Sequence, residues 1–321
     1  MLICKICNTD NKSNNNIYYP KELMLGLREE FKYFVCENCD CLQIAEVPKN
    51  LSDYYPKNYY SYNKTKVHKN IFLQKIKKLR LEGLLGENSG IISKIINKIY
   101  PPRKHIFSWL KLASIKCSDH ILDVGCGSGE AILKLYFEGF SSEGLLGVDP
   151  FIDKDLEYDC GVKVVKGELD SIKRKFDFIM FHHSFEHITN PLETLKMAHA
   201  ILNPGKKLLI RIPVASGFVF EKYRENWVQL DAPRHIFLHT HKSMEYLAKL
   251  AGFEIDEVIY DSDRFQFVGS ELYQSGGTLD QINDFEKSKL SADQLKGFDE
   301  LSKKLNLEKK GDAAGFILKK I

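Results

Sequence analysis

The stretch that decides the fold is DHILDVGCGSG, residues 119–129, followed directly by EAILKLYF at residues 130–137. The apolar start of the first segment predicts a strand, its three alternating glycines predict a tight turn, and the second segment predicts a helix. Such a unit presents backbone N–H groups to a bound nucleotide, because glycine has no Cβ to block the approach. The sequence therefore predicts a nucleotide-binding α/β unit, with an ordinary strand–helix turn as the alternative.

The glycine spacing and one carboxylate indicate which nucleotide binds. A dinucleotide site prefers G-x-G-x-x-G and holds a pyrophosphate, whereas this turn is G-x-G-x-G, at Gly125, Gly127 and Gly129. Asp123 stands just before the turn, where its carboxylate would repel a diphosphate but pair with an ammonium group. S-adenosylmethionine has that ammonium group and no phosphate, so we expect it as the cofactor. A dinucleotide oxidoreductase is the alternative, and it would require NAD(P) to bind beside Asp123.

Composition places the chain among ordinary globular proteins. Its 321 residues suffice for about two domains, and its hydrophobic fraction of 44% is ordinary. A net charge of +3 gives no argument for nucleic-acid binding by itself. No membrane-length apolar run and no secretory signal are visible. We therefore expect a cytoplasmic protein whose eight cysteines favour metal binding over disulfides.

Five of those cysteines lie close to the N-terminus. Cys4-x-x-Cys7 and Cys36-x-x-Cys39 can each place two thiolates on one metal, and together they complete a tetrahedral site. Four thiolates leave no open position for water, so we predict a structural zinc ion. Cys41 is close enough in sequence to replace Cys39 but is treated as a bystander. A chance cluster of buried or redox-active thiols is the alternative.

Residues 63–104 follow this zinc-binding module, which we place at residues 1–62. Eleven Lys or Arg stand there against Glu82 and Glu87, and apolar residues recur between them at helical spacing. We interpret the segment as a basic helical connector exposed to solvent. Basic amphipathic helices also lie on anionic membrane surfaces or grip phosphates, and both alternatives stay open.

Residues 105–321 alternate helix and strand patterns. This predicts a doubly wound, Rossmann-like α/β domain with a seven-stranded, mostly parallel sheet. Asp149 ends the second strand of this domain, where it can take two ribose hydroxyls, and Glu168-Leu169 follow the third strand at the expected adenine edge. His182 ends the fourth strand, and we expect it among the cofactor contacts as well.

A histidine-rich loop follows the fourth strand and opens into the crevice at the carboxyl ends of the parallel strands. Residues 214–241 later interrupt the alternation, and we predict that they form a lid or an acceptor pocket. Histidine, with an ordinary pKa of about 6.5, suits removal of a proton from the acceptor. Our first candidate for the base is His235, followed by His183 and His187.

Two residues of the 214–241 insertion are candidate substrate contacts, Arg234 and Trp227. A guanidinium holds a phosphate or carboxylate through two parallel hydrogen bonds. Alternatively, Arg234 pairs with Asp231, three residues before it.

Four features in residues 105–260 carry a resemblance to a known family: DVGCGSG at 123–129, Asp149, FEHI at 185–188 and NPG at 203–205. Through them this region resembles the class I S-adenosylmethionine-dependent methyltransferases. Residues 1–62 resemble the zinc-binding N-terminal part of bacterial sugar C-methyltransferases and related enzymes of surface-polysaccharide and secondary-metabolite pathways. The residues that carry this second resemblance are Cys4, Cys7, Cys36, Cys39, Gln43, Tyr54 and Tyr55, with DAPRH at 231–235 as a motif of the wider group.

The resemblance implies methyl transfer by in-line displacement, with a histidine base, to a small-molecule acceptor. We expect a sugar or related metabolite, carried on a nucleotide or a lipid. One alternative is an RNA or protein methyltransferase that grips its substrate through the zinc module and the basic helices, although nucleic acid is the less favoured partner. Another is a non-catalytic, zinc-stapled binding protein. Contact with a membrane surface stays open.

Overall fold

The computed structural model describes residues 2–11, 16–55, 70–87, 90–101, 104–215 and 217–321. Part of the predicted connector at 63–104 therefore lies outside the described residues. None of the helices described here is long and apolar enough to cross a membrane.

The secondary structure is numbered in chain order. The strands are β1 Ile17–Tyr18, β2 Tyr33–Val35, β3 Leu42–Ile44, β4 Ile121–Val124, β5 Leu145–Asp149, β6 Leu156–Glu157, β7 Lys163–Lys166, β8 Phe176–His182, β9 Leu202–Pro213, β10 Phe237–Leu238, β11 Phe253–Tyr260 and β12 Ala313–Lys320. The helices are α1 Ile71–Leu85, α2 Ile91–Ile99, α3 Lys104–Leu112, α4 Glu130–Glu138, α5 Pro191–Ile201, α6 Phe218–Tyr223, α7 His241–Leu250, α8 Phe265–Gln274, α9 Ile282–Lys289 and α10 Ala292–Leu307.

The large sheet has the strand order β11-β12-β9-β8-β4-β5-β7-β6. Its five central strands, from β9 to β7, run parallel, which confirms the predicted α/β fold. The predicted count of seven strands is wrong, because an eighth strand, β6, adds to the edge antiparallel to β7. That strand is only two residues long, which is too short to leave an alternating pattern in the sequence. β12 also runs antiparallel to both of its neighbours, so the sheet is mixed.

Both faces of the central strands are buried, as expected for parallel strands covered by helices on either side. Ile179 and Phe181 of β8 pack into one apolar cluster with residues of α5 and α7. Phe178 and Met180, which alternate with them, pack into a second cluster with residues of α3 and α4. The helical layers therefore leave the carboxyl edge of the strands as the open side of the domain.

The NPG segment at residues 203–205 lies inside a strand. β9 pairs with β8 from Phe176↔Leu202 onward, and the register shifts before Phe178↔Lys207. Gly205, at φ +69°, accommodates the irregularity. The regular part of β9 therefore begins at Lys207.

The helix α1 is docked on the α/β domain rather than free in solvent. The side chain of Gln74 donates to the carbonyl oxygens of Tyr136 and Phe140, at 2.9 Å each. Arg80 is buried and forms an ion pair with Glu138 at the end of α4. The basic segment thus packs on the domain through α1. The helix α2 contacts α1, since the side chain of Asn97 donates to the carbonyl oxygen of Arg80, but it exposes an isoleucine stripe, formed by Ile91, Ile92, Ile95 and Ile99.

A smaller sheet joins the N-terminal residues to the distant insertion. β1, β2 and β3 form an antiparallel meander, and β10 from residues 214–241 adds to it beside β3. Phe237 pairs with Gln43 and Leu238 with Leu42. The cysteine-containing segment and the predicted lid therefore share one sheet.

Candidate active site

The glycine turn after β4 has a backbone that requires glycine. Gly125, Gly127 and Gly129 have φ angles of +70°, +55° and +88°, in the region that L side chains rarely adopt. A Cβ on Gly125 would lie 2.5 Å from the Cβ of Ser184, in the loop after β8. The turn therefore lies against the histidine-rich loop, and it ends at the N-terminus of α4.

Asp123 is a buried carboxylate with no hydrogen-bond partner among the described residues. Its exposed fraction is 1%. Burial, helped by the negative charge of Asp149, raises the pKa of Asp123 well above its ordinary value. A buried polar group without a partner is costly, so the site fits a ligand that brings a cation, such as the ammonium group of S-adenosylmethionine.

Asp149, the predicted ribose contact, lies at the end of β5. Its Oδ2 accepts from the N–H of Gly127 at 2.7 Å, and its Oδ1 accepts from the N–H of Phe151 at 2.8 Å. The carboxylate thus fastens the glycine turn, and each oxygen keeps a second lone pair for a ligand hydroxyl.

The other predicted cofactor contacts lie at the same edge of the sheet. Glu168 is exposed after β7, and Leu169 beside it is buried. His182 ends β8 with its ring centroid 5.4 Å from that of Trp109. Burial lowers the pKa of His182 well below its ordinary value, so its imidazole is neutral.

Four cysteines converge in the N-terminal module. The Sγ atoms of Cys4, Cys7, Cys36 and Cys39 all lie within 4.8 Å of one another. The Cys4–Cys39 and Cys7–Cys36 separations are 3.6 and 3.5 Å. A tetrahedron with Zn–S bonds of about 2.3 Å has edges of about 3.8 Å, so the cluster has the dimensions that a structural zinc ion requires.

The surroundings of the cluster also suit a metal site. The Nε2 of Gln43 donates to the Sγ of Cys4 at 3.0 Å, and hydrogen bonds of this kind orient metal ligands. The hydrogen bond with Cys39 and that from Gln43 help to lower the pKa of Cys4 to about 5. Cys41 lies outside the cluster, with its Sγ 3.6 Å from the carbonyl oxygen of Leu238.

A cavity of about 370 Å³ opens beside the histidine-rich loop. Its lining comes from the N-terminal module, the loop after β8, the end of β9, the 214–241 insertion, residues 261–279 and the start of β12. The polar and charged lining residues are His183, Glu186, His187, Arg211, Gln229, Asp231, His235, Asp261, Ser262, Asp263, Gln266, Tyr273 and Asp312.

The three candidate bases surround one carboxylate in this cavity, that of Glu186. The Nε2 of His235 lies 3.9 Å from Oε1 of Glu186, and the Nδ1 of His183 lies 3.6 Å from the same oxygen. The rings of His187 and His235 have centroids 4.7 Å apart. Burial alone would raise the pKa of Glu186, but His183, His187 and His235 together lower it to about 2.

The predicted substrate contacts lie behind the cavity wall. Arg234 is fully buried and donates to both carboxylate oxygens of Asp231, at 3.0 and 2.6 Å, and to Glu22 of the N-terminal module at 2.9 Å. The structure thus contains the alternative arrangement of Arg234, the pair with Asp231. Trp227 is buried as well, and its indole N–H donates to Asp312. Neither side chain lines the cavity, because each is engaged inside the protein.

Four charged residues of the cavity are absent from the sequence-based prediction: Arg211, Asp261, Asp263 and Asp312. Arg211 in β9 contacts His183 and pairs with Asp261 at 2.7 Å, and Asp312 precedes β12. Because β12 runs antiparallel, its start lies at the carboxyl edge of the parallel strands, beside the end of β11. The available signal is Arg211, a charge within the apolar run LLIRIP at 208–213.

Residues 97–258 match the methyltransferase domain family. The match covers just over half of the chain, and the chain belongs to this family. It is an S-adenosylmethionine-dependent methyltransferase, which confirms the donor and the reaction predicted from the glycine turn. The non-catalytic and dinucleotide alternatives are thereby excluded. A comparison with curated proteins gave no match.

Solved structures that resemble the chain include three methyltransferases. An S-adenosylmethionine-dependent methyltransferase of Thermotoga maritima is 17% identical, with 78% of this chain and 92% of that chain covered and a TM-score of 0.38. Another, from Archaeoglobus fulgidus, is 18% identical, with 72% and 100% covered and a TM-score of 0.39. Haemonchus contortus phosphoethanolamine N-methyltransferase 2 is 19% identical, with 66% and 51% covered and a TM-score of 0.40.

Proposed function

We propose that this methyltransferase acts on a small hydroxylated metabolite, a sugar or a related compound, on a pathway to a bacterial polysaccharide or secondary metabolite. The observation that supports this most directly is the cavity of about 370 Å³, which is in the size range of small-molecule sites. Its lining is rich in carboxylates and imidazoles, which bind hydroxyl groups well. Arg211 is the one Lys or Arg among the described lining residues, so a nucleotide or lipid phosphate would lie outside the cavity.

The proposed donor site consists of the glycine turn and the acids around it. Asp123 would take the ammonium group, Asp149 the ribose hydroxyls, and Glu168 with Leu169 the adenine edge; His182 would border the same site. When bound, S-adenosylmethionine supplies an electrophilic methyl group. Since Gly125 packs on Ser184, the start of the loop that also carries the cavity histidines, the donor and the acceptor would meet across this loop.

The proposed base is a cavity histidine, His235 or His183. The Nδ1 of His235 lies 2.7 Å from the carbonyl oxygen of Gln229, a contact that requires the proton on Nδ1. Its Nε2 is then free to accept a proton from the acceptor, and Glu186 would stabilise the imidazolium that forms. His183 also borders Glu186, and it would serve if His235 has another role.

The N-terminal module, with zinc on its four cysteines, would hold the acceptor cavity in shape. Met24 of the module lines the cavity, and Glu22 pairs with Arg234 behind it. The OH of Tyr33 donates to the carbonyl oxygen of His235 at 2.7 Å. The module is therefore part of the wall that positions the candidate base.

The first test is calorimetric titration of the metal-replete protein with S-adenosylhomocysteine and, separately, with NAD. We expect binding of the first ligand and none of the second. Transfer of a labelled methyl group is then measured on free, nucleotide-linked and lipid-linked sugars, on RNA and on protein. Label on RNA or protein, with binding that weakens steeply with salt, would contradict the proposed acceptor.

Histidine variants test the base. His235→Gln and His183→Gln are compared with His120→Gln, a half-exposed histidine that precedes β4 at the opposite edge of the sheet. Loss of general-base catalysis lowers kcat by roughly 10²- to 10⁴-fold. Full activity in each variant and in the double variant would eliminate both histidines as the base while leaving the acceptor class intact.

A further inference from the structure

We propose that Glu186, His187 and His235 form a second metal site, which binds a divalent transition-metal ion inside the acceptor cavity. One nitrogen from each ring and one carboxylate oxygen lie within 4.8 Å of one another. Metal bonds of about 2.0–2.2 Å would place neighbouring ligand atoms roughly 3–3.5 Å apart. The separation of 3.9 Å between Nε2 of His235 and Oε1 of Glu186 is slightly wider than that spacing. The inference rests on the proposed function and adds the ion that would hold the acceptor oxygen.

Both histidines are held in the manner of metal ligands. The Nδ1 of His187 lies 2.9 Å from the carbonyl oxygen of Arg234, and the Nδ1 of His235 lies 2.7 Å from that of Gln229. A ligating histidine typically donates one ring N–H to a backbone carbonyl or carboxylate, which fixes the tautomer and leaves the other nitrogen for the metal. Nε2 is thus the free nitrogen in both rings.

Glu186 supplies an independent reason for a cation. It is fully buried, it lines the cavity, and neither of its oxygens has a hydrogen-bond partner among the described residues. An ionised carboxylate in that position needs a positive partner. A metal ion would satisfy it together with the two neutral imidazoles. Asp231, whose Oδ2 is 3.8 Å from Nε2 of His235, is already paired with Arg234.

The ligand set indicates the class of ion. Two imidazoles and one carboxylate suit Mn²⁺, Fe²⁺, Co²⁺ or Zn²⁺ and leave open positions on the ion. Those positions face the cavity, where they would take a hydroxyl or enolate oxygen of the acceptor and lower its pKa. With His235 on the metal, the acceptor's proton would pass to His183 as the oxygen–methyl or carbon–methyl bond forms and the sulfur–methyl bond breaks.

Manganese separates this site from the cysteine cluster, because thiolates select zinc over manganese. The full-length protein, loaded with one equivalent of zinc per chain for the cysteine cluster, is titrated with Mn²⁺, and free Mn²⁺ is followed by electron paramagnetic resonance. A parallel titration with Co²⁺ is followed by visible absorption. We expect one additional ion per chain. Absence of an additional ion in both titrations of the wild-type protein overturns the proposal, whatever the variants do.

Matched variants locate the ion. Glu186→Gln and His187→Gln are each expected to weaken Mn²⁺ binding by roughly 100-fold or more. Loss of a residue that only supports a metal ligand weakens binding by roughly 10- to 100-fold, and loss of a ligand itself should cost at least the upper end of that range. Asp263→Asn, an exposed carboxylate on the same cavity outside the cluster, is expected to bind Mn²⁺ normally. Circular dichroism checks the fold of each variant. Binding that survives in both folded cluster variants would show that the ion lies elsewhere.

The titrations contain no donor and no acceptor, so their outcome is separate from that of the methyl-transfer assays. A protein that binds the ion but methylates none of the sugars would retain the metal site and lose the proposed acceptor class. A protein that methylates a sugar but does not bind the additional ion would retain the proposed acceptor class and lose the metal site.

Discussion

Two buried charges, Asp123 and Arg234, have opposite surroundings. Asp123 has no hydrogen-bond partner among the described residues. Arg234 donates to Asp231 twice, to Glu22 once and to the carbonyl oxygen of Tyr54. Since a lone charge in the interior is expensive and a fully paired one is tolerated, the first is explained by a ligand and the second by the fold itself.

The difference distinguishes a binding site from a structural junction when both are charged and buried. Arg234 connects the N-terminal module to the 214–241 insertion, and its geometry is complete without any bound molecule. Glu186 resembles Asp123 more closely than it resembles Arg234, because its oxygens lack hydrogen bonds although three histidines surround it. Whether a buried charge has a partner therefore distinguishes binding residues from structural residues in this enzyme better than its distance from the cavity does.

The largest effect is expected from removing the ion pairs of Arg234, which connect the N-terminal module to the 214–241 insertion. Arg234→Ala leaves Glu22 and Asp231 buried without their cation, which typically costs about 3–5 kcal/mol of folding free energy. The midpoint of thermal unfolding should fall sharply, and Arg234→Lys should recover part of the loss. If the unfolding midpoint stays unchanged and the KM for the acceptor rises instead, Arg234 is a substrate contact after all.

The sequence predicts the donor half of the site more fully than the acceptor half. Asp123 and the three glycines lie within one strand–turn–helix unit, so local spacing carries their chemistry. The cavity combines segments that are far apart in sequence, and Arg211 and Asp312 become neighbours only because β12 reverses direction. No local pattern encodes that reversal.

The contacts of the 214–241 insertion are likewise not encoded in a local sequence pattern. The sequence shows many aromatic and ionisable residues in the insertion, but it does not show that Arg234 pairs with Glu22 of the N-terminal module. The pairing of β10 with β3 is a long-range register, and two-residue strands leave no periodicity. A substrate role for Arg234 and Trp227 was therefore as consistent with the sequence as the structural role that the geometry shows.

Asp123→Asn should affect binding and stability in opposite directions. Loss of a charge-assisted bond to the ligand's ammonium group typically costs about 1.5–3 kcal/mol, which corresponds to roughly 10- to 100-fold weaker binding of S-adenosylhomocysteine. Without ligand, the variant removes an unpaired buried carboxyl group, so its thermal midpoint should equal or exceed that of the wild type. Asp153→Asn, an exposed acid after β5, is the control and should change neither quantity. Weaker binding accompanied by a lower midpoint would mean that Asp123 supports the fold.

The pH dependence of ligand binding sharpens the assignment of Asp123. Burial raises the pKa of this carboxyl group in the ligand-free protein, whereas an ammonium partner would favour its ionised form. Binding should therefore release a proton, and affinity should weaken by at most about tenfold per pH unit as the pH falls below the raised pKa. Calorimetry in buffers of different ionisation enthalpy measures that proton. Asp123→Asn should abolish the release; a release that persists in the variant belongs to another group.

The smallest effect is expected at Asp312, a buried acid whose Oδ2 accepts from the indole N–H of Trp227. Burial raises the pKa of Asp312 from its ordinary value to about 6. Because the folded pKa lies above the unfolded one, the protonated form is favoured by folding, and the group destabilises the fold as the pH rises through that interval. Asp312→Asn keeps an acceptor for the indole and carries no charge, so it should stabilise the protein by about 1–2 kcal/mol at pH 8. Thermal midpoints at pH 5 and pH 8 measure this gain, which should shrink at the lower pH. An equal gain at both pH values would trace it to packing, and a loss at pH 8 would show that the cavity uses this carboxylate in its ionised form.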